Sequence, residues 1–193
     1  MLDYHKLGDI YRDAGELEKA IAAYQKQTEI KPQDGDVWNK LGATLLRQHK
    51  LEEAKKAFAE GLKVQANPLF LLSNDAELAL MQRDKTRLKD RIERALKAVP
   101  PKHQLSVILP FLAWLAEPTQ EQVWADLKQA IAQLTPEVPI SWDFSNIKPV
   151  LEDLDKSSQR EAEHLIAFFK DWEKAPKSRL LNLQTLIKQI ESR

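Results

Sequence analysis

The stretch "LGDIYRDAGELEKA", Leu7–Ala20, is answered later by "LGATLLRQHKLEEA", Leu41–Ala54. Leu-Gly, eleven residues and then Ala recur at a spacing of 34. At that offset Tyr4 falls on Trp38, Leu7 on Leu41, Gly8 on Gly42, Tyr11 on Leu45, Ala20 on Ala54 and Tyr24 on Phe58, and each unit closes on a proline, Pro32 and then Pro68. The pattern predicts one antiparallel helical pair per unit. Gly8 and Ala20 are small enough to let the two helices approach, and the large residues at 4, 11 and 24 fill the space around that contact. Gly15 sits in the turn, where a left-handed conformation suits the end of a helix. A single pair cannot bury its apolar faces alone, so the pairs must stack.

The rest of the chain agrees with an all-α reading. Ala, Leu, Lys, Glu and Gln dominate, and no long segment alternates with period two. The 29 basic residues balance 29 acidic ones, so no global field draws the chain to nucleic acid or an anionic membrane. The absence of cysteine excludes disulfides, thiolate metal sites and a cysteine nucleophile, and it fits a reducing compartment. No apolar run approaches the ~18–20 residues of a membrane span, and "MLDYHKLGDI" is not a secretory signal. A cytoplasmic location is the expectation. The helical pattern begins almost at Met1, which leaves open that the chain is part of a longer protein.

With aromatic-Leu-Gly-Tyr, then Ala, then an aromatic, then Pro in units of 34, the chain resembles the tetratricopeptide repeat family, clearly over residues 1–66 and in divergent form over 67–136. In the third unit Leu72, Ala76, Ala79 and Ile92 keep pattern positions, while Asp75 stands where Leu is expected and Leu88 where Ala is expected. Asn67–Pro68 is a helix start, and Asp84 can cap the next helix. A fourth pair over 102–135 keeps only the apolar spacing. In it Pro110 is expected to kink or interrupt the first helix, and Thr119–Gln122 reads as a capping box for the second. The resemblance implies a right-handed α-solenoid of three to four stacked pairs.

The domain expectation is a repeat domain over 1–136 and a capping region of three short helices over 137–193. The segment "TPEVPISWDFSNIKP" begins the second part, and Trp142, Phe144 and Ile147 within it are expected to pack against the last pair. Helices follow near Pro149–Leu154, from Ser158 with Glu161 completing a capping box, and from Pro176 with Leu180, Leu183, Leu186, Ile187 and Ile190.

Motifs that carry chemistry are sparse. Glu161–His164 holds a single Glu-x-x-His, where a di-iron bundle needs two. The histidines at 5, 49, 103 and 164 are scattered, so zinc ligation has no support. Neither a phosphate-cradling glycine loop nor a nucleophile elbow is present. The expectation is no enzyme, no cofactor and no metal. The basic run Arg83–Lys97, seven Lys/Arg against three acids, lacks aromatic residues for base stacking and reads as a solvated helix face.

The resemblance further implies that the first helices of the pairs line a concave groove for a peptide or a partner helix. Its groove positions fall on His5, Asp9 and Arg12, on Asn39, Ala43 and Leu46, and on Phe70, Ser73, Asn74 and Glu77. The function expected is a protein-interaction scaffold or adaptor. The alternative is an accessory, substrate-recruiting or regulatory region of a larger enzyme or signalling protein. A branch of the family grips a C-terminal carboxylate through basic and amide side chains at positions held here by His5, Asp9, Lys40, Phe70 and Asn74, none of which matches. The groove is therefore expected to prefer an apolar segment carrying Lys or Arg.

Overall fold

The computed structural model describes residues 3–65, 68–174 and 183–187. The expectations for Asn67, Pro176, Leu180 and Ile190 lie outside these residues. Eight helices form four consecutive hairpins: α1 (Tyr4–Asp13) with α2 (Leu17–Ile30), α3 (Gly35–Arg47) with α4 (Leu51–Val64), α5 (Leu69–Met81) with α6 (Lys85–Leu96), and α7 (Leu105–Ala116) with α8 (Glu121–Ala132). Each second helix packs on the first helix of the next pair, and α3, α5 and α7 also touch in succession. This is an α-solenoid.

The close approach within a pair is visible at the glycines. A Cβ added to Gly8 would stand 2.4 Å from the Tyr24 ring, and one added to Gly42 would stand 2.4 Å from the Phe58 ring. The same contact thus recurs one repeat later. The turns repeat as closely. Gly15, His49 and Arg83, spaced by 34, all adopt positive φ, at 77°, 56° and 59°. Each turn closes with the same pair of backbone hydrogen bonds. The N–H of Glu16, Lys50 and Asp84 donates to the carbonyl of Tyr11, Leu45 and Ala79 at 2.8, 3.0 and 2.9 Å, and the positive-φ residue donates to the carbonyl one position further on. That is the left-handed Schellman ending of a helix. Side chains bridge neighbouring pairs at the same interval: Gln48 donates to Glu18, and Gln82 to Glu52 at 2.7 Å.

Asp3, Asp34 and Asp84 cap α1, α3 and α6 through their carboxylates. Two expected capping boxes do not form. Gln120, not Thr119, is the N-cap of α8, and it makes no side-chain cap bond. The helix expected from Ser158 starts two residues earlier, where the Asp155 carboxylate accepts the N–H groups of Ser157 and Ser158. There an acidic cap takes the place of the serine signal. Nor does Pro110 interrupt α7, which runs through it. Pro110 is half-buried between buried residues on both sides, and that packing offsets the lost backbone bond.

A 3₁₀ turn (Ser145–Ile147), α9 (Lys148–Glu152) and α10 (Lys156–Lys174) follow the hairpins. Two apolar clusters fill the molecule. Tyr24, Leu45, Phe58, Leu71 and Leu78 belong to the first, under the two N-terminal pairs. The second joins Leu72, Ala79, Leu112 and Ile131 to Val138, Phe144, Ile147, Leu165, Phe169 and Trp172, so the packing continues without a break across residue 136. Phe111 of α7 meets Phe144 and Phe169 edge-on, with ring centroids 5.9 and 5.5 Å apart. The Trp172 indole donates to the Val138 carbonyl at 2.7 Å.

Candidate partner-binding groove

The residues expected in the groove fall into two groups. At the N-terminal end Asp9 is the hub. It accepts Lys40 Nζ at 2.8 and 3.0 Å and the Tyr24 hydroxyl at 2.7 Å, while Arg12 stands 3.4 Å away. His5 Nε2 contacts the same Lys40 Nζ at 2.7 Å. Burial acts to raise the Asp9 carboxyl, but the bonds from Lys40 and Tyr24 outweigh it and hold the group below the usual carboxylate range. Burial and the Asp9 acceptor push the Tyr24 hydroxyl up. This network joins the first pair to the second and already satisfies Asp9.

The second group surrounds a cavity of about 270 Å³. Ala43 and Leu46 of α3 and Phe70, Asn74 and Glu77 of α5 line one side of it. Asn74 also donates to Asn39 at 2.9 Å. Phe70 is 53% exposed, against 3% for Glu77. Ser73 is fully buried, and its hydroxyl donates to the Leu69 carbonyl of its own helix.

The other side of this cavity is the chain's own later segment, which is expected against the last pair and also reaches α3 and α5. Ser141, Trp142, Asp143 and Asn146 line it together with Gln104 and Arg47. The 3₁₀ turn lies against both α3 and α5. Three contacts hold the segment there: the Ser141 N–H donates to Gln104 Oε1 at 2.8 Å, Asn146 Nδ2 donates to Glu77 Oε1 at 2.8 Å, and Arg47 stands 3.8 Å from Asp143. The sequence signal for this placement is the density of aromatic and amide side chains in a proline-rich stretch. Residues 141–147 therefore lie over part of α3 and α5.

Burial drives the Glu77 carboxyl up to about 7, reinforced by the nearby Asp143 charge and opposed by the Asn146 amide. The buried indole N–H of Trp142 lies outside full hydrogen-bond geometry, yet near enough to this carboxyl to favour its ionised form. Two residues earlier α5 buries Asp75, 1% exposed, and treats it differently. Arg91 donates to it at 2.6 Å and Arg87 pairs with it as well. The acid that breaks the repeat pattern is thus matched by two arginines of α6. The basic run is largely consumed in this way, since Arg83 pairs with Asp153, Lys85 with Glu117 at 3.1 Å, and Arg94 with Asp90 at 3.5 Å.

Elsewhere, a cleft of about 740 Å³ between α6 and the α7–α8 pair has an apolar floor of Leu88, Ile92 and Val123 under a rim of both charges. No helix among the described residues is long and apolar enough to cross a membrane.

Four stacked helical hairpins define a helical-repeat protein. Residues 8–49 match a family model described as TPR repeat, and residues 35–68 match one described as tetratricopeptide repeat. The chain is 33% identical over 107 residues to human tetratricopeptide repeat protein 21B, a match covering 53% of this chain and 8% of that protein. The repeat recognised in the sequence is thus the tetratricopeptide repeat, matched over residues 8–68. Such repeats generally mediate protein–protein interaction.

Proposed function

We propose that the protein is a non-enzymatic interaction module, a scaffold or adaptor, that binds a peptide or helix along α1, α3 and α5. The observation that carries this reading is the exposed Phe70 ring beside the cavity between α3, α5 and residues 141–146. The pairing of the basic run with acids of the same chain speaks for a protein partner rather than a nucleic acid. A pull-down with the intact chain and with Phe70→Ala tests it. Partners retained by the first and lost by the second support the groove, and equal recovery with both removes it.

The second reading, an accessory recruiting region of a larger enzyme or signalling protein, draws on the small share of the human relative that is matched. The mass of the native polypeptide, read by immunoblot, separates the two.

A further inference from the structure

Helix α5 buries two carboxyl groups on the same stretch of backbone. Asp75 receives two guanidinium groups from α6. Glu77 receives one neutral amide, from Asn146, and among the described residues no Lys, Arg or His stands within ion-pair distance of it. A second carboxylate, Asp143, shares its cavity, and the only basic lining residue, Arg47, is 3.8 Å from Asp143 and 41% exposed. Buried acids are stable when paired and costly when not. The cavity also carries two aromatic rings, Phe70 and Trp142, whose faces attract a cation. Its volume of about 270 Å³ lies below the ~300–1,000 Å³ of sites that enclose a whole small molecule, and it is open, so it suits one side chain.

We propose that the cavity between α3, α5 and residues 141–146 receives one Lys or Arg side chain of the partner segment. The inference rests on the groove reading above and names what that groove recognises. The alkyl stem of the incoming residue lies over Ala43 and Leu46, and its charged head meets Glu77 and Asp143 between the two rings. An acidic side chain would face two carboxylates there. An apolar one would leave the carboxyl groups of Glu77 and Asp143 without a cationic partner. At the other end of the groove Asp9 already holds Lys40, so the charge that selects a basic residue is concentrated at this cavity.

The test is selection of a random twelve-residue peptide display library on the full-length chain, followed by calorimetry of the enriched peptides. The expected result is that each carries a basic residue within an apolar segment, and that replacing this residue by norleucine weakens binding at least tenfold. The same replacement should cost little further when measured on Glu77→Gln, because the two changes remove one interaction. The amide oxygen of that variant keeps an acceptor for Asn146. Asp143→Asn, at a more exposed site, gives a second cycle should Glu77→Gln fold poorly. Peptides that bind and are weakened by Phe70→Ala, but whose basic residue is absent or uncoupled from both acids, overturn the inference and leave the groove. Enrichment of acidic peptides overturns it as well. Enriched peptides indifferent to Phe70→Ala, or no enrichment at all, overturn the groove reading and the inference with it.

Discussion

His49 and Arg83 hold a left-handed backbone where the first repeat has Gly15. For a residue with a Cβ that conformation costs on the order of 1 kcal/mol. His49→Gly should therefore stabilise the protein by about 0.5–1 kcal/mol, and Gly15→Ala should destabilise it by a similar amount. Urea melts at one pH read both, and shifts of the same sign would contradict the turn geometry. Glu77 gives a prediction in pH. Its folded pKa of about 7 lies above the ordinary 4.5, so between those values the native state holds a proton that the unfolded state has lost. The stabilisation of the native state by that proton is complete below pH 4.5 and is lost as pH rises through 7. The change is on the order of 3 kcal/mol. Glu77→Gln should leave stability near pH 5 almost unchanged and raise it at pH 8. Denaturation midpoints of the two proteins at those pH values check this, and parallel curves would show that Glu77 does not titrate in this way.

Among the elements, α5 departs furthest from its family and shows how the departure is absorbed. Asp75 replaces an expected Leu, and Arg87 and Arg91 answer it from α6. Replacing both arginines by Met leaves a buried, unpaired carboxylate, and should cost about 3–5 kcal/mol. Adding Asp75→Leu to that pair should recover most or all of the loss, because a packed apolar triad replaces the ionic one. Thermal melts of the double and triple variants decide it. The helical pairs and their turns were legible in the sequence because one residue type per position carries them: Gly8 and Gly42 under rings, Gly15 at the turn. The helix starts at 121 and 156 were not: at 156 Asp155 takes the first turn from Ser158, and at 121 the N-cap Gln120 makes no side-chain bond that a capping pattern could signal. Of the cavity lining, one side was legible. The family resemblance pointed to Ala43, Phe70 and Glu77, but a repeat pattern is blind to contacts between residues about seventy apart, and so it missed that Asn146 and Asp143 line the same cavity.

For the molecule as a whole, the second apolar cluster runs from α5 to α10 through residues 138–150. Those residues therefore belong to the fold that the third and fourth pairs adopt. Ending the chain at residue 136 removes Phe144, Phe169 and Trp172 from that cluster, and uncovers Phe111 of α7, which packs against Phe144 and Phe169 and is buried in the intact protein. Such a protein should be oligomeric or aggregated by gel filtration, with a lower melting temperature. A monomer with unchanged melting would show that the C-terminal region is dispensable for the stack.

The shared turn geometry at 15 and 49 also bears on how such a chain can grow. Because Leu17 and Leu51 follow equivalent turns, a second copy of residues 17–50 inserted after Lys50 would meet at each junction the same backbone it left. The copied Arg47, Ala43 and Leu46 would still stand beside α5 and the cavity. Tandem duplication in this part of the gene is therefore structurally neutral, and the longer protein should melt at a higher temperature, each added interface contributing its share. Duplication of the third unit lacks this freedom, since α5 serves both clusters at once and has no interchangeable neighbour. The array can lengthen ahead of α4, while the units from α5 onward stay at fixed length.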